Sequence, residues 1–304
     1  MSRIPTAATA LPPVLLGTLW MVGFSVLAPA HDVSAKLAAL TLPVAMVVFA
    51  RFAVQAVVLG AVTAAGGGRL PPRRDLRLHL LRGALMTGAS TLFFAALPHM
   101  RVAEAVAIYF VMPLILLALA ALVLGETVGP RRWAACLAGF MGALMIVQPG
   151  FVEVGAPALY PLGTALLFAL YMLLTRHLSP GCDAAGMQLV AGLTGTALTA
   201  LALVAGALGA FELRWPAGEE WLWLAGAGLF ATVAHLCITL SLRHAPASVV
   251  GPVQYLEIGV AALYAWWVFG EAPAPLAWAG IAVVAGAGLY VIARERGTAA
   301  ERAG

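Results

Sequence analysis

The chain has 304 residues, of which 62% are hydrophobic and 10% are charged. Soluble domains are about one-quarter charged, so this composition excludes an ordinary soluble protein and indicates a chain whose solvent is lipid. The formal net charge of +4 does not indicate a nucleic-acid partner, because the charges lie between apolar runs and form no basic patch with interleaved aromatic residues.

The sequence predicts ten apolar segments long enough to cross a bilayer, which takes about 20 apolar residues as a helix. The loops between them are short and rich in glycine and proline, and none is long enough for a soluble domain. We therefore predict an all-α membrane protein with ten transmembrane helices. In chain order, segments 1 to 10 are residues 11–29, 41–63, 79–97, 102–124, 132–148, 157–176, 186–208, 220–240, 246–269 and 276–293.

A long internal repeat links segments 4 and 9. Residues 97–134 recur at 242–279 without a gap. The identical pairs are Leu97 and Leu242, His99 and His244, Ala120 and Ala265, Val123 and Val268, Gly125 and Gly270, Glu126 and Glu271, Pro130 and Pro275, Trp133 and Trp278, and Ala134 and Ala279.

The second copy is predicted to be inverted in the membrane, because each copy contains five helices and five is odd. Lys and Arg are favoured in cytoplasmic loops, and Arg131-Arg132 of the first copy are replaced by Leu276-Ala277 in the second. Inverted repeats of this kind are typical of secondary transporters. We therefore divide the chain into two inverted five-helix repeats, residues 1–150 and residues 151–304.

The basic residues also predict how the chain is oriented. With the N terminus inside, most of the 17 Lys and Arg residues lie in cytoplasmic segments, whereas the outer segments hold Lys36, Arg101 and Arg214. The positive-inside rule then places both termini in the cytoplasm. We expect a multi-pass protein of the inner (plasma) membrane.

Two charges lie near the middle of predicted segments, Arg51 in segment 2 and Glu257 in segment 9. A charge at this depth costs about 2.5–3.5 kcal/mol on insertion scales, so each needs protein or water around it. Gln55 lies one turn from Arg51, and Gln254 and Tyr255 lie beside Glu257. The pattern indicates either a substrate-binding site at the membrane midplane or a structural role. In the structural role, Arg51 and Glu257 form a buried ion pair, or each pairs with backbone carbonyls.

Two further candidates for substrate binding are His235 in segment 8 and Trp20 in segment 1. His235 could carry a proton, since imidazole titrates near neutral pH, but a lone helix histidine more often hydrogen-bonds a neighbour. Trp20 and Phe24, one turn apart, could flank an apolar substrate or pack against lipid and core. Beyond the end of segment 1, Asp32 and Lys36 are expected to form a solvated surface pair.

The twin Gly-Glu turns are expected to be structural. Gly125 and Gly270 can end the preceding helix. Glu126 and Glu271 can accept hydrogen bonds from free N–H groups and complement the positive end of the next helix.

Segments 5 and 10 carry no charged residue between residues 133 and 147 or between residues 278 and 292. Helices without polar groups do not line a hydrophilic cavity, so we expect both at the periphery. Small residues recur in both, which favours packing within the chain or, alternatively, a homodimer through segment 5 or 10. These residues are Ala135, Gly139, Ala143, Ala282 and Gly286.

Ten helices in two inverted fives, with Arg51-Phe52 in segment 2 and the paired Gly-Glu turns after segments 4 and 9, resemble the EamA-like family of drug/metabolite transporters. The resemblance covers roughly residues 11–293. It implies that segments 1–4 and 6–9 surround a central cavity while segments 5 and 10 lie outside. It also implies transport of small solutes such as amino acids, nucleosides or other metabolites.

The leading hypothesis is a secondary transporter that moves a small polar or amphipathic metabolite by alternating access, with proton-coupled efflux as one form. An uptake carrier or a facilitator is the alternative. A non-transporting scaffold is disfavoured because it needs no inverted repeat with buried Arg and Glu. We predict no enzyme, since the sequence shows no paired carboxylates, His-rich cluster or Ser–Lys dyad. The spacing of the three cysteines and the lack of a P-loop predict no metal, cofactor or ATP coupling.

Overall fold

The computed structural model describes residues 12–96, 99, 102–147, 155–210, 214–270, 272 and 274–301. Throughout this part of the chain the regular secondary structure is helical. The helices are α1 (Pro13–Ala39), α2 (Val44–Ala64), α3 (Leu76–Ala96), α4 (Val102–Tyr109), α5 (Met112–Val123), α6 (Pro130–Val147), α7 (Leu159–Leu178), α8 (Ala184–Ala205), α9 (Glu220–His244), α10 (Ala247–Gln254), α11 (Leu256–Phe269) and α12 (Pro275–Glu301).

Six helices in the described ranges are long and apolar enough to cross a membrane: α1, α2, α7, α8, α9 and α12. The helix α5 is a shorter apolar helix. The predicted all-helical fold is therefore confirmed for the described residues, with six candidate membrane spans.

Segments 4 and 9 are each broken, which the sequence analysis did not predict. The helices α4 and α5 are separated at Phe110, and α10 and α11 at Tyr255. These two residues occupy equivalent positions of the repeat. Pro113 begins α5 and Pro252 lies within α10, and each lacks the N–H that a continuous helix would use.

The two breaks meet in the interior. The Tyr255 hydroxyl donates to the Phe110 carbonyl at 3.1 Å, and the two rings lie 5.9 Å apart. A backbone carbonyl released by a helix break must be satisfied by protein when lipid surrounds the bundle. Tyr255 satisfies the carbonyl at the equivalent position of the other repeat.

The ends of the helices show two further outcomes. Gly125 and Gly270 have φ of 65° and 70°, the left-handed region that favours glycine, so the prediction that they end the preceding helices is confirmed. The predicted end of segment 1 is wrong, because α1 continues to Ala39 and includes Asp32 and Lys36. Packing against α9 supports this last part of the helix: His31 Nδ1 donates to the Ala227 carbonyl of α9 at 2.9 Å.

Helices of one repeat pack mainly against helices of the other: α1 against α9, α2 against α8, α3 against α7, and α6 against α12. Glycines allow the last pair to approach closely, since a Cβ added at Gly280 would lie 2.6 Å from the Gly142 carbonyl oxygen. Ala135 and Ala143 of α6 are buried inside the chain, whereas Gly286 of α12 is exposed.

Candidate functional site

A cavity of about 130 Å³ lies between the central helices. Its lining comes from the last part of α1, the first third of α2, the second half of α3 and the middle of α9, so it lies toward the α1–α2 turn at residues 40–43. The described lining includes no residue of α6 or α12. A ligand pocket usually measures about 300–1,000 Å³, so the lining side chains must move apart to admit a metabolite.

Aromatic rings make up much of this lining. Tyr109 packs edge-to-face against Phe93, Phe110 and Phe168, with ring centroids 6.0, 5.3 and 6.1 Å away. Rings in this arrangement offer flat apolar faces on which a planar ligand can stack. The aromatic lining residues are Phe24, Phe93, Phe94, Tyr109, Phe110 and Phe168.

Arg51 lines the cavity and is 2% exposed. Its Nη1 donates to Ser90 Oγ at 3.3 Å and its Nη2 to His235 Nε2 at 2.6 Å, while the guanidinium lies 4.3 Å from the centroid of the Phe52 ring. Arg51 Nε finds no hydrogen-bond partner among the described residues. Arg51 thus brings a positive charge to an aromatic cavity, while its Nε is buried without a described partner.

The structural alternative for Arg51 that we considered, an ion pair with Glu257, is wrong, since the structure describes both residues and they form no salt bridge. Glu257 lines the same cavity and is 7% exposed. Gln254 Nε2 donates to Glu257 Oε2 at 3.4 Å. The two predicted charges therefore share one cavity without neutralising each other by contact.

His235 fits both alternatives of the sequence analysis, because it lines the cavity and is also hydrogen-bonded. Its Nε2 contacts Arg51, and its Nδ1 lies 3.4 Å from the Tyr171 hydroxyl. The ring of Phe24 lies 6.0 Å away in an edge-to-face contact.

The other predicted site residues lie outside the described lining. Gln55 Nε2 donates to the Gln188 carbonyl at 2.8 Å, so its face of α2 points to α8. Tyr255 is fully buried between the two helix breaks, and Trp20 packs against the hydrophobic core.

Sequence reasoning missed Asp32, which lines the cavity with a side chain that is 57% exposed. We expected a solvated surface pair because we ended the helix too early. One signal was present in the sequence: Phe24, Ala28, His31 and Asp32 share a face at helical spacing, and all four line the cavity.

A second buried arginine, Arg82, also escaped the sequence analysis as a site residue. It is fully buried, and its Nε donates to Thr175 Oγ1 and its Nη1 to the Met187 carbonyl, both at 2.8 Å. Its Nη2 donates to the Tyr171 hydroxyl at 3.2 Å. Because these partners come from α7 and α8, no local pattern in the sequence indicates them.

At the end of the bundle opposite the cavity, Glu126 links the two repeats. Its two carboxylate oxygens accept from the backbone N–H groups of Ala247 and Ser248 at 3.0 and 2.9 Å. Arg176 Nε lies 3.6 Å from Glu126 Oε1, and its Nη1 donates to the Leu242 carbonyl at 2.8 Å.

Glu126 caps a helix, as predicted, but the prediction of which helix it caps is wrong. Glu126 stabilises α10 of the other repeat instead of the next helix along the chain, since packing brings the free N–H groups of α10 beside the turn. Glu271 lies outside the described residues. Among the residues described, no group of three or more His, Cys, Asp or Glu could hold a metal ion.

Comparison with known proteins agrees with this architecture. The model of the EamA-like transporter family matches residues 15–148 and again residues 156–294. A Riboflavin transporter of Rhizobium johnstonii is 34% identical over 218 residues, which are 71% of this chain and 70% of the relative. The Pseudopaline exporter CntI of Pseudomonas aeruginosa is 27% identical over 88% of this chain and 91% of the relative.

A solved crystal structure shares the fold, with a TM-score of 0.74 at 21% sequence identity over 91% of this chain and 95% of its own. The resemblance seen in the sequence is thereby confirmed on two grounds, the double family match and the similarity to curated transporters. The chain belongs to the EamA-like transporter family and is a transporter of small metabolites.

Proposed function

We propose that this transporter carries a planar, ring-containing metabolite of the flavin type by alternating access. The observation that carries the proposal is Arg51, a buried guanidinium at a cavity lined by aromatic rings. Riboflavin combines a flat three-ring system with an edge of carbonyl oxygens and ring nitrogens. The rings suit stacking on aromatic side chains, and the edge suits the planar fork of an arginine. The relative from Rhizobium johnstonii carries the name of a riboflavin transporter.

The predicted site residues take two roles in this proposal. Arg51, His235 and Glu257 line the cavity and contact substrate. The other four predicted residues support the lining side chains from behind, or they contact substrate when the cavity widens. They are Gln55, Gln254, Tyr255 and Trp20. Asp32 joins the direct contacts, since it lines the same cavity.

Alternating access follows from two inverted five-helix repeats that cross the membrane ten times in all, residues 1–150 and 151–304. In this proposal α4 with α5 is one crossing, and α10 with α11 is its inverted twin. The chain lies in the inner membrane, and both of its termini lie in the cytoplasm. The Glu126 end then faces the cytoplasm and is closed, while the cavity lies toward the outside. Exchange of these roles between the two ends moves the substrate.

Two further parts of the proposal concern coupling and assembly. Glu257 exchanges a proton during the cycle, which would couple efflux to the proton gradient, and uptake or facilitated diffusion is the alternative direction. Because Gly286 of α12 is exposed, α12 is a better candidate than α6 for the contact of a homodimer. The chain performs no covalent chemistry on its substrate.

A paired test in cells decides both the substrate and the direction. In a riboflavin auxotroph without its own carrier, uptake predicts growth at low riboflavin. In a riboflavin-overproducing strain, efflux predicts more riboflavin in the medium. The control is Arg51→Ala at equal abundance in the membrane. Either response, lost in the control, supports the proposal. If neither strain responds, riboflavin is not the substrate, and a comparison of metabolites retained and released by expressing cells replaces it.

A further inference from the structure

A chain of hydrogen bonds links the cavity to the second buried arginine. Arg51 Nη2 lies 2.6 Å from His235 Nε2, and His235 Nδ1 lies 3.4 Å from the Tyr171 hydroxyl. Arg82 Nη2 donates to the same hydroxyl at 3.2 Å. Two neutral side chains thus stand between two guanidinium groups.

Only one protonation state of His235 satisfies these contacts. A guanidinium donates and never accepts, so His235 Nε2 must carry a lone pair toward Arg51. A neutral imidazole carries its proton on the other nitrogen, so Nδ1–H donates to the Tyr171 oxygen. The alternative tautomer and the imidazolium would both point an N–H of His235 at the N–H groups of Arg51.

We propose that Tyr171 is a positioning residue for substrate recognition. Its hydroxyl oxygen holds His235 as the Nδ1–H tautomer, and His235 Nε2 then fixes the guanidinium of Arg51 toward the cavity. The proposal rests on Arg51 as a substrate ligand, as proposed above. Tyr171 itself lies outside the described lining of the cavity, so it acts through His235.

The surroundings of Tyr171 keep its oxygen in place as an acceptor. Arg82 lies 4.9 Å from the centroid of the Tyr171 ring and donates to its hydroxyl. Gln188 Nε2 lies 3.0 Å from the same hydroxyl, but its two hydrogens are used by the shorter contacts to the His235 carbonyl at 2.7 Å and Thr239 Oγ1 at 2.6 Å. The two lone pairs of the Tyr171 oxygen therefore remain for Arg82 and His235. Both Tyr171 and Arg82 are fully buried. A buried polar network of this kind fixes the direction of its members because each lost bond leaves a desolvated group.

Nitrogen-15 NMR of the purified full-length chain tests the tautomer without any substrate. The chain has 6 histidines, and the signal that disappears in His235→Gln identifies His235. We expect a one-bond coupling to hydrogen at Nδ1 and none at Nε2 near pH 7. A proton on Nε2, or on both nitrogens, overturns the proposal whatever the substrate is.

Transport kinetics test the positioning role. Tyr171→Phe keeps the ring and removes the acceptor, so the KM for riboflavin should rise about fivefold to tenfold, the loss expected for one buried hydrogen bond, with an unchanged maximal rate. The matched control is Tyr290→Phe, which removes a hydroxyl from the exposed face of α12 and should leave KM unchanged. An unchanged KM in Tyr171→Phe overturns the proposal. If that variant does not fold, the wild-type NMR result alone decides.

Discussion

Arg51 is a buried cation whose described partners are neutral. Serine and histidine satisfy two of its nitrogens, while its Nε finds no partner. Burying such a charge in a membrane costs free energy, so its presence indicates a function. In the proposed function, a substrate with hydrogen-bond acceptors contacts Arg51 once the lining side chains have moved apart.

Glu257→Gln tests proton coupling at the residue scale. The substitution removes the charge at nearly constant shape, and the amide oxygen can still accept from Gln254. In proteoliposomes we expect substrate exchange to continue while an imposed pH gradient no longer drives accumulation. The control is the wild-type chain with and without a protonophore. Continued pH-driven accumulation by the Gln variant would exclude Glu257 as the coupling group.

The residue scale also shows where sequence reasoning succeeds and fails. The depth of Arg51 and Glu257 in apolar segments was sufficient to make both candidates for a binding site, and both line one cavity. The partners of Arg51 were not predictable, because Ser90 and His235 come from distant parts of the chain. Gln55 shows the opposite error: helical spacing places it on the face of Arg51, but the helix turns that part of the face toward α8.

At the scale of helices, the first Gly-Glu turn links the two repeats through Glu126, which accepts hydrogen bonds from the start of α10. The positions of both turns follow from the repeat, and Gly125 and Gly270 have the backbone conformation that ends a helix. The breaks at Phe110 and Tyr255 were not predicted, because the segments were assigned from the length of their apolar runs. The prolines inside these runs disfavour a continuous helix. Packing between the repeats then determines that Glu126 stabilises α10 and not the next helix along the chain.

Glu126→Gln should weaken the closed end. An amide oxygen accepts from one of the two N–H groups of α10 and loses the attraction to Arg176, so we expect a loss of about 1 kcal/mol in the free energy of unfolding. Thermal unfolding in detergent measures it. The matched change is Glu219→Gln, at an exposed position whose side chain makes no cap hydrogen bond to α9. Equal stability losses in both variants would contradict the assigned role of Glu126.

The contact of α6 with α12 offers a paired test with two glycines of one helix. Gly280→Ala places a Cβ 2.6 Å from the Gly142 carbonyl oxygen, whereas Gly286→Ala meets no described atom within 4 Å. We expect Gly280→Ala to lower the midpoint of thermal unfolding and Gly286→Ala to leave it unchanged or to raise it slightly, since alanine favours a helix by about 1 kcal/mol. The reverse order would exclude the close packing of α6 against α12.

For the whole molecule, the repeat predicts both architecture and orientation. The replacement of Arg131-Arg132 by Leu276-Ala277 agrees with the positive-inside rule if the second repeat is inverted, as we propose. The helices α1, α2 and α3 pack against helices of the other repeat. In the proposed mechanism, a relative tilt of the repeats opens one end as it closes the other. Sequence periodicity predicts such helices but not which of them touch.

Cysteine labelling tests the orientation. Cysteines introduced at positions 153 and 219 should react with a membrane-impermeant thiol reagent in intact cells, and cysteines at positions 73 and 131 should not. The natural Cys136, Cys182 and Cys237 are buried and provide the background to be subtracted. Labelling at position 131 together with protection at position 219 would reverse the proposed topology.

Counterflow of riboflavin in proteoliposomes tests the central claim most directly, that Arg51 binds the substrate of an alternating-access carrier. Unlabelled riboflavin inside the vesicles should accelerate the entry of labelled riboflavin. Arg51→Ala should abolish this exchange and Arg51→Lys should restore only part of it, because lysine offers a point charge instead of a planar fork. Circular dichroism and gel filtration confirm that each variant is folded. Full exchange by folded Arg51→Ala would contradict the account.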